Sequence, residues 1–277
     1  MTELIWTETA EEAKRSPEYA RALQELLLQI ADDDYILAYR GSEWLGLAPH
    51  IEEDVAFSSM AQDMMGHAAM LYGMLEELGA GKADDLAHLR SPEAFRNAIL
   101  AERPNGPGEY ADEPHYDWSY AIARCCLYGL FKDIRLEALR RSSYVPLAQT
   151  ASKMQREHHY HIRYWRSWFM RLADSTDEAR LRLNAAVAQV WSDVGSLFPL
   201  GSEEEAIVRF GLSIGGDELA RRWKTAAQSL FEASGLVWPG DWAIPVRNGR
   251  DGQHTDDLAQ AVATLSEVYR IDPAAGW

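Results

Sequence analysis

The chain has 277 residues, of which 47% are hydrophobic and 25% charged, and its formal net charge at pH 7 is −16. A chain of this length and composition folds into a globular protein with a sizeable core. Its 27 basic residues are scattered and outnumbered by 43 acidic ones, which argues against nucleic-acid binding. No run of about 18 apolar residues is present, so we expect no membrane span.

Two further features favour a cytoplasmic location. The first 20 residues are acidic and lack the apolar region of a signal peptide. The two cysteines, Cys125 and Cys126, are adjacent and therefore poorly placed to form a disulfide with each other.

The hydrophobic pattern predicts an almost wholly helical chain, because apolar residues recur every 3.6 positions and no stretch alternates as a strand does. Capping residues and Pro/Gly breaks then divide the chain into helices. The predicted helices run from Ser16-Pro17 to about Trp44, from about His50 to Leu78, over 92–102, 116–142, 146–174, 176–195, 203–213 and 215–235, and from the N-cap Thr255 through Tyr269. Two long pairs joined by an excursion of about 35 residues predict an all-α, ferritin-like four-helix bundle with additional C-terminal helices.

Polar residues interrupt the apolar stripes of three of these helices. The first long helix places Asp34 in its stripe, and the fourth places His158 and His161 there, one turn apart. His67 borders the stripe of the second helix, three residues after Met64. Because an unpaired buried carboxylate is costly, Asp34 needs a partner such as a histidine or a metal ion. The spacing is compatible with a present or former polar site in the bundle centre, and also with hydrogen-bonded core histidines, which are the more common case.

Di-iron carboxylate bundles provide the pattern for comparison. They need a Glu from each of two helices and a Glu-x-x-His pair from each of the other two. Here the pairs read Met64-x-x-His67 and His158-x-x-His161, so two irons would lack anionic ligands.

At these positions the sequence resembles the phenylacetate-CoA oxygenase family. Residues 62–67 (QDMMGH) resemble the Q-D-E-x-G-H of its catalytic subunit, residues 156–161 (REHHYH) resemble K-E-E-S-F-H, and residues 141–146 (RSSYVP) resemble R-T-S-Y-G-P. Carrying the ligands over implies Asp34, Met64 and His158 in place of Glu, Gly129 in place of Asp, and only His67 and His161 unchanged. Asp133, one turn after Gly129, is a partial substitute.

Other segments resemble the PaaC type of subunit in the same family. They are residues 41–49 (GSEWLGLAP), 102–106 (ERPNG), 252–255 (GQHT) and the final Trp277. The resemblance runs from about residue 20 to the end, which implies an N-terminal extension at 1–20 and a ferritin-like helical domain at 21–277.

The resemblance implies a structural subunit of a ring-1,2-phenylacetyl-CoA epoxidase, without catalytic residues or cofactor of its own. The implied partners are a di-iron catalytic, PaaA-like subunit and the other subunits of the complex, with a homodimer within the complex left open. The alternative is a stand-alone metal-dependent oxidase with one ion held by Asp34, His67, His158 and His161.

Two further features of the sequence have ordinary explanations. On a helix, Asp32 and Asp33 point away from Asp34, so we expect both on a solvated face. Trp165 and Trp168 fall on a helix stripe and are expected in the core. Trp238, Trp242 and Trp277 lie in or after irregular segments, where an interface role is an open alternative.

Overall fold

Four long α-helices carry much of the chain in the computed structural model, which describes residues 6–110 and 112–275. The α-helices in those ranges are α1 (Ala10–Lys14), α2 (Pro17–Ser42), α3 (Ile51–Glu77), α4 (Ala83–His88), α5 (Ile99–Glu102), α6 (Trp118–Leu139), α7 (Val145–Asp174), α8 (Asp177–Trp191), α9 (Glu204–Arg209), α10 (Gly216–Ser234) and α11 (Asp256–Ser266). Short 3-10 helices lie at Pro92–Ala94, Val194–Leu197, Gly201–Glu203, Gly249–Asp251 and Tyr269–Ile271. The β-structure in the described ranges consists of two isolated bridges, Thr7 with Tyr144 and Glu109 with Asp112. The predicted all-α class is confirmed.

The ends of the long helices follow from local chemistry. The Ser16 side chain accepts a hydrogen bond from the backbone N–H of Tyr19, and Pro17 occupies the first turn of α2. Asp117 caps α6 in the same way, accepting from the N–H of Ser119 at 2.8 Å. The predicted ends of α2, α3, α6 and α7 lie within about three residues of the observed ones. Side-chain caps mark the starts of α2 and α6, and Pro146 in the first turn marks the start of α7.

The predicted helix over 92–102 is wrong in its central part. Phe95 and Ala98 have extended backbone conformations that separate a 3-10 turn from α5. The N–H of Arg96 donates to Asp32 at 2.7 Å, and that of Ala98 donates to Asp33 at 2.8 Å. These carboxylates on α2 satisfy the backbone in place of a helical hydrogen-bond pattern.

The four long helices form an antiparallel bundle with one crossover. In the α2/α3 pair, Gln24 near the start of α2 donates to the carbonyl of Leu78 just after α3. In the α6/α7 pair, Arg140 just after α6 donates to Gln155 in the first half of α7. The connection over 78–117 returns the chain so that α6 also runs antiparallel to α2. This is the topology expected of a ferritin-like bundle.

The first described residues pack onto this bundle. The N–H of Thr7 donates to the carbonyl of Ser143 at 2.8 Å, and the N–H of Val145 donates to the carbonyl of Thr7 at 2.9 Å. Residue 20 lies inside α2, and the proposed division at that point stays a prediction.

The C-terminal helices enlarge the core on the α6 side of the bundle. Trp223 of α10 is fully buried and donates its indole N–H to the carbonyl of Leu127 at 2.9 Å. The amphipathic α10 thus covers α6 with its apolar stripe. In residues 6–110 and 112–275, no helix has the length and apolar character needed to cross a membrane.

Candidate functional site

A buried ion pair occupies the centre of the bundle. Lys132 of α6 donates to both carboxylate oxygens of Asp34 on α2, at 2.7 and 2.8 Å. Asp34 is 0% exposed and Lys132 is 1% exposed. Lys132 reaches the centre because it lies three residues after Gly129 and so shares its helix face. The partner that the buried carboxylate requires is therefore an ammonium group.

The electrostatics of this pair favour the charged form of the aspartate. Burial by itself raises the pKa of Asp34, but the Lys132 ammonium and His67 outweigh it and bring that pKa below its ordinary value. Burial lowers the pKa of Lys132, and the Asp34 carboxylate opposes this change. The two groups hold each other as an ion pair in a water-poor core.

His67 connects this ion pair to the protein surface. Its Nδ1 lies 3.3 Å from Lys132 Nζ and 3.5 Å from Asp34 Oδ2. Its Nε2 lies 2.6 Å from Glu157 Oε2, and the Glu157 side chain is 37% exposed. Both ring nitrogens thus face polar partners, and the imidazole bridges the central pair and an outer carboxylate.

The other two inward histidines have separate partners. His158 donates from Nε2 to the Gly129 carbonyl at 2.8 Å. Burial, followed by the positive charge of Lys132, lowers the pKa of His158 to about 3, so the ring is neutral at pH 7. His161 Nε2 lies 2.9 Å from a carboxylate oxygen of Asp63, which is partly exposed. Burial is also the main cause that lowers the pKa of His161.

Gly129 and Met64 leave little room at the centre. A Cβ added at Gly129 would lie 2.8 Å from Cδ1 of Ile162, so a longer side chain there would force the isoleucine to move. Both residues line a cavity of about 20 Å³, together with Lys132, His158 and His161. That volume is on the order of one water molecule. Asp133 does not line this cavity and is partly exposed.

The residues present do not fit a di-iron centre. Two irons in such a bundle are held by four carboxylates and two histidines, whereas Asp34 is the one carboxylate here at the implied ligand positions. Both of its oxygens accept from Lys132, whose ammonium group would repel a metal cation. Over the described part of the chain, no three His, Cys, Asp or Glu side chains are grouped so that they could hold a metal ion. The same ammonium group disfavours the alternative single-ion site.

The sequence prediction for Asp32 and Asp33 is wrong, since both are 0% exposed. Asp32 pairs with Arg90 at 3.0 Å and accepts from the Tyr72 hydroxyl at 2.6 Å. Asp33 pairs with Arg250 and Arg135, each at 2.9 Å. All three aspartates of α2 are therefore buried with cationic partners.

Sequence reasoning also missed Lys132, the residue that decides the chemistry of the centre. A usable signal was present, because Lys132 and Arg135 lie three residues apart among the apolar residues of the third long helix. Cations on a buried face call for buried anions, and consecutive aspartates on α2 supply them.

The three PaaC-like segments that the structure describes meet at one end of the bundle. The Glu102 carboxylate accepts from the Thr255 backbone N–H and hydroxyl, at 2.7 and 2.8 Å, and lies 2.7 Å from His254 Nδ1. Asn105 donates to Glu43 at 2.8 Å and to the carbonyl of Arg40 at 2.7 Å. These motifs fix the chain path at this corner. The fourth matching position, Trp277, lies outside the described residues.

The tryptophans pack largely inward. Trp165 is 5% exposed, as expected for a core position, whereas Trp168 is half-buried and packs against the core beside Trp118. Trp238 packs against Trp191 with ring centroids 4.8 Å apart, and Trp242 packs against Phe198 at 4.9 Å. Both contribute to packing of the C-terminal helices.

A crossover four-helix bundle with a buried ion pair at its centre defines the class of protein as all-helical. A sequence model of the family described as phenylacetic acid catabolic protein matches residues 1–277. The chain therefore belongs to this family. It is also 28% identical over 251 residues to the C subunit of the 1,2-phenylacetyl-CoA epoxidase of Escherichia coli (strain K12), covering 90% of this chain and 97% of that protein. The resemblance recognised in the sequence is confirmed.

Proposed function

We propose that this chain is a structural, non-catalytic subunit of a ring-1,2-phenylacetyl-CoA epoxidase in aerobic phenylacetate catabolism. In this proposal the chain works in the cytoplasm and supports a di-iron catalytic subunit that carries the cofactor. The proposal rests mainly on the position of Lys132. Its ammonium group contacts both oxygens of Asp34 at the point where a ferritin-like oxygenase would bind metal.

The helical scaffold supports the same proposal. Packing of apolar stripes holds α2, α3, α6 and α7 together, so the bundle needs no metal to keep its shape. A chain that keeps the length and helix order of an oxygenase subunit without its ligands is best explained if its outer surface has the function. That surface would hold and complete an iron-bearing homologue, with electrons supplied by a separate reductase.

The irregular segment over 237–254 is one proposed contact surface. Val237, Ile244 and Val246 are 84%, 90% and 99% exposed, although all three are apolar. Trp238 and Trp242 belong to the same segment and attach it to the core by packing against Trp191 and Phe198. Exposed apolar side chains on a well-anchored loop are typical of binding surfaces.

Co-expression with the iron-bearing homologue tests the proposal, with iron measured on the separated chains. We expect a stable complex that buries more than about 1,000 Å², with iron on the partner. Ile244→Asp together with Val246→Asp should weaken the complex and lower epoxidation. Leu181→Asp is the matched control, because Leu181 is 65% exposed on α8 and lies outside the proposed contact segment.

His161→Gln separates a scaffold from a catalytic participant. If the chain is a scaffold, this variant lowers epoxidation per intact complex only as far as it loosens the fold. Loss of turnover in a complex that still forms, with iron retained on the partner, would show that this subunit takes part in the chemistry. Two irons on the isolated chain would refute the proposal directly.

A further inference from the structure

The outer face of α3 has an unusual composition for the surface of a highly charged protein. Ser59, Gly66 and Gly73 lie seven residues apart, so they form one line along the helix. Val55 and Ala69 flank that line and are exposed. Lys and Arg are absent from the whole of α3, and Asp63 is the one acidic residue between Asp54 and Glu76. The line itself is therefore made of small residues, with Asp63 as the one charged side chain beside its central part.

The two glycines have no internal explanation. A Cβ added at Gly66 or at Gly73 meets no atom within 4 Å, and neither residue has a positive φ. Gly41 differs, because a Cβ there would lie 3.0 Å from the Phe57 ring. Glycine in a helix interior is less stable than alanine. No contact in the described structure requires glycine at either position, and the missing side chains leave room for another molecule to approach the α3 backbone.

An exposed apolar cluster continues this line at the N-terminal end of α3. Ile51 is 69% exposed and Val55 is 63% exposed on the helix, and Leu45 and Leu47 in the preceding loop are 55% and 39% exposed. The Tyr110 hydroxyl donates to the Leu45 carbonyl at 2.9 Å and adds its half-exposed ring. Leu45 and Leu47 belong to the PaaC-like segment over 41–49. Contiguous exposed apolar side chains of this kind mark a protein-binding surface.

The surfaces on either side of α3 indicate the shape and charge of the occupant. Towards α2, grooves of about 300 and 220 Å³ meet at Met65 and can receive side chains. Towards α7 lie exposed cations, with Lys153 Nζ 3.7 Å from Met70 of α3 and Arg156 one turn further along. α7 carries five basic and two acidic residues in a chain with net charge −16. An occupant with acidic residues along this edge would be electrostatically complementary.

We infer that the outer face of α3 binds an α-helix of the iron-bearing partner, uncharged along the line that meets Gly66 and Gly73 and acidic along its α7 edge. The inference rests on the proposed function, because the partner is the one named there. The heptad spacing of the small residues suits a helix that crosses α3 at a shallow angle of about 20°. Close backbone approach then lets the partner's side chains fill the grooves beside α3.

Two pairs of substitutions at the glycines test stability and partner binding separately. Gly66→Ala together with Gly73→Ala should raise the thermal midpoint of the isolated chain by roughly 2–6 °C, since helix propensity improves without a clash. Gly66→Leu together with Gly73→Leu should leave the isolated chain folded but weaken binding of the purified iron-bearing subunit at least tenfold. Ala185→Leu on α8 is the control, because Ala185 is exposed on a helix that this inference does not involve.

Each result has a definite meaning when binding is measured by titration and self-association by light scattering. Unchanged binding of the leucine variant would overturn the α3 inference but leave the proposed function intact, because the complex still forms. Failure of the unmodified chains to associate would refute the proposed function itself. Loss of self-association instead of partner binding would identify the occupant as a second copy and overturn the inference. Lys153→Glu with Arg156→Glu should also weaken the complex, and no effect would contradict the acidic edge.

Discussion

Replacing Lys132 with methionine tests the ion pair at the bundle centre. Methionine has a similar length but no charge, so the Asp34 carboxylate would lose its main counter-charge at a position that is 0% exposed. Removing one member of a buried ion pair costs about 3–5 kcal/mol. The remaining carboxyl can respond by binding a proton. At pH 7, which is about three units above the ordinary pKa of an aspartate, keeping the Asp34 carboxyl protonated costs about 4 kcal/mol. This cost agrees with the range given for breaking a buried ion pair.

The same reasoning gives the sign of the pH dependence. In the unmodified chain the pKa of Asp34 is lowered, so its stabilising effect is present above the ordinary aspartate pKa and is lost at lower pH. In Lys132→Met the Asp34 pKa should instead be raised, so the destabilisation grows with pH above that value. The stability gap between the two proteins should therefore shrink by about 1.4 kcal/mol for each pH unit from 7 towards 5.

Urea unfolding at pH 7, 6 and 5 measures this gap. The double variant Asp34→Asn with Lys132→Met is the control, because it removes the uncompensated charge and should recover most of the lost stability. A cost below about 1 kcal/mol for Lys132→Met, or a gap that does not vary with pH, would refute a buried charged pair.

The remaining predictions concern the histidine and metal content of the centre. The pKa of His158 is about 3 in the folded chain, below its ordinary value in the unfolded chain. At pH values between these two pKa values, the unfolded chain binds a proton on His158 that the folded chain does not. The free energy of unfolding therefore falls as the pH falls through this range. His158→Gln should remove this effect, and its stability deficit should shrink by about 2 kcal/mol between pH 7 and pH 5; a constant deficit would contradict the shifted pKa. Chelators should leave the thermal midpoint of the isolated chain unchanged, and a drop of several degrees would reveal a bound metal.

The sequence by itself determined the helical architecture and the family. Helix ends such as Ser16-Pro17 depend on capping by residues a few positions away, and the 3.6-residue period of apolar side chains depends only on the helix. For the same reason the inward positions of Asp34, His158 and His161 could be read before the structure: each lies in a stripe whose direction its own helix sets.

Only the tertiary structure decided which charges lie in the core and what they contact. Asp33 reads as a solvated residue on α2, yet its partner Arg250 comes from a turn 217 positions further along the chain. Arg250 looks like an ordinary surface cation in the sequence, and the apolar surroundings of Lys132 indicate burial but not its partner, because helical periodicity gives the direction of a side chain and not its neighbours. Whether a charged side chain is buried depends on a counter-charge from another element. That pairing is fixed when the helices pack, and it makes the centre of this bundle a salt bridge.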